Sequence, residues 1–376
     1  MNKLMSKMLK AGSVSGASVM AESQFFNAKN TVTTPLPILN IAFSGDVDSG
    51  FTPGITVLAG ESKTFKSALA LYCLKAYLAK YDDAIGILYD TEYGITPEYI
   101  KSFDIDTNRV IHIPVEHIEQ LKFDFMKKLE GIEKNDHVFF LVDSIGQISS
   151  KKEVDDTADE KSTTDMTRAK SMRSLLRLIT VQLTKKELPC ILINHCYVEI
   201  GPMYPKTVIP GGTAVTYTAN TIFVITKSQE KNTSGDLEGW KFTINIHKSR
   251  YVKEKEKLPF YVLYDGGIQK YSGILDIAMD GNFVQKPKSG WYSLVDQETG
   301  ELGVKNFRAK DFETDELAGE LLKSKKFKEY VKSKFKLSQL QMDGFDNLVS
   351  INDSEDDDFD LPEEKPDFAK KLKKVT

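Results

Sequence analysis

Residues 54–69 read GITVLAGESKTFKSAL, and the reading of the fold turns on them. ITVLA is an apolar, β-branched run, and SALALYCLKAYLAK beyond it carries a helical pattern. Between them, Gly60, Glu61, Ser62, Lys63, Thr64, Phe65, Lys66 and Ser67 match a phosphate-binding loop at every place but one. Phe65 stands where a second glycine is expected. In a strand–loop–helix unit the loop N–H groups cradle phosphates, Lys66 neutralises them, and the Ser67 hydroxyl coordinates magnesium. A glycine before the lysine lets backbone approach phosphate unobstructed, so Phe65 must turn its ring into apolar packing. Taken alone, the stretch fits a glycine-rich turn before an ordinary helix as well as a nucleotide site.

Two further strands narrow the choice. HVFFLVDS (137–144) ends an apolar run in Asp143, the place for a carboxylate that holds magnesium beside a phosphate loop. The plainer reading is an acid capping a strand end. ILYDTEYGITPEY (87–99) ends in Asp90 and Glu92 at the same sheet edge. Glu92 is the candidate general base for attack of water on a γ-phosphate. Either acid also suits a cap for the following helix.

The other short apolar runs are AIGILYD, RVIHI, PCILINH, TIFVIT and WKFTINIHK, with helical patterns at 66–80, 97–103, 117–130 and 163–182. This alternation predicts an α/β fold with a mostly parallel, twisted sheet flanked by helices. Small N- and C-terminal regions attach to it. The expected divisions are an amphipathic N-terminal helix (1–30), the core (31–275), a small C-terminal domain (276–350) and a disordered charged tail (351–376). The chain has 376 residues, 41% hydrophobic and 28% charged, and its three cysteines, Cys73, Cys190 and Cys196, have no zinc spacing. No apolar run approaches the roughly 20 residues of a membrane span. Residues 353–364 hold eight acids, while the first twenty residues hold Lys3, Lys7 and Lys10 and no acid. That division suits a nucleic-acid binder whose tail competes for its own basic surface, or simply a solubilising tail.

Two segments leaving the sheet do not read as structural connections. Residues 146–165 form a polar stretch of about twenty, a length that is usually functional. It runs into TRAKSMRSLLRLI, where Arg168, Lys170, Arg173 and Arg177 accompany a stripe of Met166, Ala169, Leu176 and Ile179. Residues 196–217 hold Met203, Lys206, Gly211 and Gly212, with Met203 or Ile209 available to insert between bases. Lys248 and Arg250 flank Ser249, so both project from one strand face toward phosphates on a neighbouring subunit.

The altered loop AGESKTFKS, LYDTEYGITPEYI, VDSIGQ with its long loop, INH with its Gly-Gly loop, and HKSR with VLYDGG occur here in one order. In that order they resemble the RecA-like strand-exchange recombinases, in particular those of T-even-like bacteriophages, over residues 1 to about 345. The resemblance implies a RecA-type P-loop ATPase core, with residues 1–30 as a polymerisation segment. It implies an ATP- and Mg2+-dependent, DNA-stimulated ATPase that forms a helical homo-oligomer on single-stranded DNA and pairs it with duplex DNA. It implies that residues 60–67 bind phosphate, Glu92 is catalytic and Asp143 associates with magnesium. Tyr99 stacks on adenine, and Tyr264 approaches the nucleotide across the subunit interface. Lys248 and Arg250 reach the γ-phosphate from the neighbour. Arg168, Arg173, Gly211 and Gly212 stand at DNA-contacting positions. His195 replaces a glutamine that senses γ-phosphate. The implied partners are a single-strand-binding protein and a recombination mediator, with no membrane, in the cytoplasm of an infected bacterial host. A hexameric RecA-fold DNA helicase is the alternative, disfavoured by the small N-terminal segment and the Gly-Gly loop.

Overall fold

The structure, a computed structural model, describes residues 2–13, 17–22, 30–159, 166–199, 207–231, 235–265 and 267–337. In chain order, α1 (Lys3–Ala11) and a 3-10 turn (Met20–Glu22) precede α2 (Pro37–Ser44). The core follows as β1 (Gly54–Gly60), α3 (Lys66–Lys80), β2 (Ile85–Asp90), α4 (Pro97–Lys101), β3 (Val110–Pro114), α5 (Ile118–Gly131) and β4 (Val138–Asp143). Then come α6 (Lys151–Ala158), α7 (Thr167–Lys186), β5 (Pro189–His195), the short pair β6 (Tyr197–Val198) and β7 (Thr207–Val208), and α8 (Gly212–Thr218). Three long strands, β8 (Thr221–Lys231), β9 (Leu237–Ser249) and β10 (Lys257–Leu263), lead to β11 (Gly267–Ile268) and α9 (Ile274–Asp280). A small sheet, β12 (Val284–Lys288), β13 (Trp291–Val295) and β14 (Leu302–Phe307), is followed by α10 (Ala309–Phe312), a π turn (Asp315–Gly319), α11 (Glu320–Lys323) and α12 (Lys325–Phe335).

The main sheet runs β11-β10-β9-β8-β1-β5-β4-β2-β3. From β8 to β3 the pairing is parallel, and from β8 to β11 it is antiparallel. Side chains alternate across a strand, so each central strand feeds two cores. In β4, Phe139 and Leu141 join the core beneath α2, α3, α9 and α12. Val138, Phe140 and Val142 join the opposite core beneath α5 and α7. This double burial explains why the strands read as continuous apolar runs.

The structure refines three sequence expectations. In the N-terminal region, α1 stops at Ala11, where Gly12 turns extended at φ −77° and ψ 143°. The polar segment from 146 is not all loop, because SKKE forms a capping signal in which Ser150 Oγ accepts from Glu153 N and starts α6. The apolar stripe of α7 is Met172, Leu175, Leu176, Ile179 and Leu183, whereas Met166 is 73% exposed. Leu176 and Ile179 lie in the stripe as expected, but Met166 only caps the helix and Ala169 is exposed, so the buried face begins at Met172. Among the described residues, no helix is long and apolar enough to cross a membrane.

Candidate active site

Strand register assembles the site. Parallel pairing places Gly60 beside His195 and Asp90 beside Asp143, so four strand ends open on one sheet edge. Here β1 is flanked by strands reached in opposite directions, the switch point at which open α/β sheets take ligands.

Gly60 has no room for a side chain, since a Cβ would lie 2.6 Å from both Ile225 O and Thr64 Oγ1. Lys63 and Phe65 take left-handed backbone, with φ of 60° and 66°. That is the conformation glycine adopts freely. The Phe65 ring packs on β9 and β10, its centroid 5.4 Å from Phe242 and 6.0 Å from Phe260. Lys66 Nζ donates to Glu61 O (2.6 Å), Gly60 O (3.1 Å) and Thr64 Oγ1 (3.2 Å). Burial pushes its ammonium below the usual lysine value, against the pull of Asp143, Cys196 and Glu92.

Ser67 Oγ donates to Asp143 Oδ2 at 2.6 Å. Burial, reinforced by the charges of Glu92 and Asp90, pushes the Asp143 carboxyl up to about 6. A hydroxyl and a carboxylate held together at the base of a phosphate loop are hard oxygen donors, and they fit magnesium. Asp90 has a different task. It is 1% exposed, and its Oδ1 accepts from Glu92 N (3.0 Å) and Tyr93 N (2.7 Å), holding the turn that presents Glu92. Glu92 Oε1 accepts from Ser144 Oγ at 2.6 Å and lies 2.7 Å from His195 Nε2. Burial acts to raise Glu92, but these hydrogen bonds and the nearby charges of His195 and Lys66 hold it below the usual carboxylate range. A cavity of about 330 Å3 is lined by Ser62 to Ala68, Glu92, Tyr99, Asp143, Ile193 and His195.

Other residues singled out in the sequence lie elsewhere. Tyr264, 62% exposed, follows β10 and accepts from Trp240 Nε1 at 3.2 Å, away from the cavity lining. Lys248 and Ser249 pair with Ile222 and Thr221 at the start of β8, whereas Gly60 pairs with Ile225. The Lys248–Arg250 pair therefore sits at the sheet edge opposite its own phosphate loop. Lys248 Nζ donates to Thr216 O (2.6 Å) and Ala219 O (2.8 Å) at the end of α8. Arg250 lies past the last residue of β9. Arg168 turns inward, donating through Nε to Ile148 O (2.7 Å) and through Nη2 to Gly146 O. Arg173 is exposed. Gly211 and Gly212 have φ of 97° and 62°. Met203 and Lys206 lie outside the described residues. Sequence reasoning gave no role to Ser144 or to Thr91, whose Oγ1 donates to Ser144 O (2.8 Å) and accepts from Ser144 N (2.9 Å). Ser144 is in the VDS motif, but its grip on Glu92 is a contact between strands.

Comparison with known proteins places this geometry. Residues 18–269 match the RecA N-terminal domain model. Residues 271–331 match the C-terminal domain of the bacteriophage T4 recombination and repair protein. The chain is 42% identical to the recombination and repair protein of Enterobacteria phage T4, over 99% of this chain and 96% of that one. It is 26% identical to protein RecA of Corynebacterium efficiens, over 83% and 79% of the two chains. For protein RecA of Clostridioides difficile the identity is 25%, over 66% and 69%.

Proposed function

The chain belongs to the RecA-like recombinases, in the branch of the phage T4 recombination and repair protein, and on that premise we propose that it hydrolyses ATP at the cavity around Lys66. It is a single-stranded-DNA-binding recombinase. The relatives reported above are recombination and RecA proteins, and they give the helicase reading no support.

The observation that carries the ATPase reading is the convergence of Lys66, the Ser67–Asp143 pair and the Glu92–His195 pair on one cavity. Loop N–H groups and Lys66 bind the phosphates of ATP, and Tyr99 packs on the base. Ser67 and Asp143 would hold magnesium, which would supply neutralisation of the phosphate charge. Glu92 is ionised at neutral pH, and its depressed pKa makes it a weak proton acceptor, so its part is chiefly to orient the attacking water. Ser144 and His195 fix the carboxylate for that task. Lys248, Arg250 and Tyr264 act across a subunit interface on the neighbour's nucleotide, which their distance from this protomer's cavity supports. The segments 146–165 and 196–217 contact DNA in a filament of copies, and Arg173, Met203, Lys206, Gly211 and Gly212 are the candidate contact residues. A single-strand-binding protein and a mediator assist loading, in an infected host cell.

Strand exchange between a single-stranded circle and homologous linear duplex tests this reading. Joint molecules are expected with ATP and magnesium and not without them; their absence under both conditions overturns it.

A further inference from the structure

The two segments read as DNA-contacting share one buried side chain. Asn194, next to last in β5, is 0% exposed. Its Nδ2 donates to Pro210 O at 2.8 Å, immediately before Gly211 and Gly212. Its Oδ1 is buried with no hydrogen-bond partner among the described residues. Pro210 fixes the amide's orientation, because the reversed amide would set two oxygen acceptors against each other.

The other side of Asn194 faces the root of the first segment. A Cβ on Gly146 would lie 2.8 Å from Asn194 Oδ1 and 3.1 Å from both the N and Cδ2 of His195. The contact has no slack. Ile145 N donates to Ile193 O at 2.9 Å, and Arg168 binds the carbonyls of Gly146 and Ile148. The residue after Asn194 is His195, whose Nε2 meets Glu92. One amide thus touches the start of the first segment and Pro210 within the second, and it neighbours the side chain beside Glu92.

We propose that Asn194 is a positioning residue that couples both DNA-contacting segments to the Glu92–His195 pair and so carries the DNA dependence of ATP turnover. This rests on the reading of 146–165 and 196–217 as DNA-contacting. A buried acceptor without a donor is costly, so an arrangement of the segments that brings an N–H to Oδ1 gains over the present one. Movement at Gly146 or Pro210 is passed to the end of β5 because the contacts are close-packed on both sides. That gives two discrete arrangements which DNA and nucleotide both bias.

The test measures steady-state ATP hydrolysis by the full chain, with and without saturating oligo(dT). The wild type comes first: absence of stimulation by the oligonucleotide sinks the DNA reading itself, before Asn194 is at issue. Given stimulation, Asn194→Ala is expected to lose about tenfold of it, with DNA-independent kcat and KM for ATP within about twofold of wild type. Gly146→Ala, whose methyl group presses on Oδ1, is expected to lose stimulation too, and adding Asn194→Ala to it to cost little more, as for two changes on one path. Undiminished stimulation in Asn194→Ala overturns the proposal. So does an equal loss with and without DNA, which marks a merely structural residue. If Asn194→Ala does not fold, Asn194→Asp decides by the same ratio, since it keeps the shape and removes the donor to Pro210.

Discussion

Phe65 holds a left-handed backbone at φ 66° while its half-buried ring packs against Phe242 and Phe260. The left-handed conformation costs an L-residue about 1–2 kcal/mol, and burying a whole phenyl ring is worth about 1.5–3 kcal/mol, of which a half-buried ring gains a part. The two are of similar size, which is how a phosphate loop tolerates phenylalanine in a glycine place. Phe65→Gly is therefore expected to change stability by no more than about 1 kcal/mol, moving the thermal midpoint by at most a few degrees in calorimetry. Asp143 shows an imbalance, a function held at a cost to stability. Its carboxyl titrates at about 6 in the fold against an ordinary 3.8. As pH rises from 3.8 to 6 the unfolded chain gives up this proton first, so stability falls across that window and the loss is complete above it. A displacement of that size corresponds to about 3 kcal/mol. Asp143→Asn should make the magnesium-free protein more stable at pH 7.5 in urea unfolding, with the gain shrinking toward pH 4. The same variant should bind magnesium–nucleotide more weakly, and only the wild type should lose affinity as pH falls through 6.

Among the elements, α7 separates two arginines that look alike in sequence. Arg168 is spent on the carbonyls of Gly146 and Ile148, closing the root of the segment before it, whereas Arg173 one turn on is exposed. A phosphate-contacting cation releases counterions on binding, and a structural one does not. In oligonucleotide titrations over a range of salt, Arg173→Ala should weaken binding and make the log–log slope shallower by about 0.7. Arg168→Ala should weaken binding at an unchanged slope, because it loosens the segment without removing a contact. This pair also shows what sequence can and cannot reveal. The strands, their parallel order and the acids at their ends were legible, since double burial and a phosphate loop each write a pattern into neighbouring residues. The inward turn of Arg168 and the meeting of Ser144 with Glu92 were not. They depend on partners about 20 to 50 residues away. Asn194 was quoted in INH without a role for the same reason: its partners lie on two other segments.

For the whole molecule, the decisive feature is where the fold places the two cations proposed to act on a neighbour's nucleotide. Lys66, Glu92 and Asp143 open at one edge of the sheet, while Lys248 and Arg250 stand at the other, past the start of β8. A distance of several strand residues separates the two levels, and no side chain spans it. Within the protomer Lys248 is held by the carbonyls of Thr216 and Ala219, and burial together with the Arg250 charge lowers its ammonium pKa. On the proposed reading, a cation so placed serves a neighbouring protomer rather than its own phosphate loop. This yields a prediction that only an assembly can satisfy. Lys66→Ala and Lys248→Ala should each be inactive alone, the first for want of a phosphate-binding lysine and the second for want of the neighbour's cation. Mixed in equal amounts on DNA, a Lys248→Ala protomer can receive an intact Lys248 from a Lys66→Ala neighbour. About a quarter of the interfaces in a random mixture are then competent, and turnover should return to roughly that fraction of wild type, as counterion-driven assembly on one DNA strand intermixes the copies. Activity that stays absent in the mixture, with both variants still binding DNA, would confine Lys248 to holding α8.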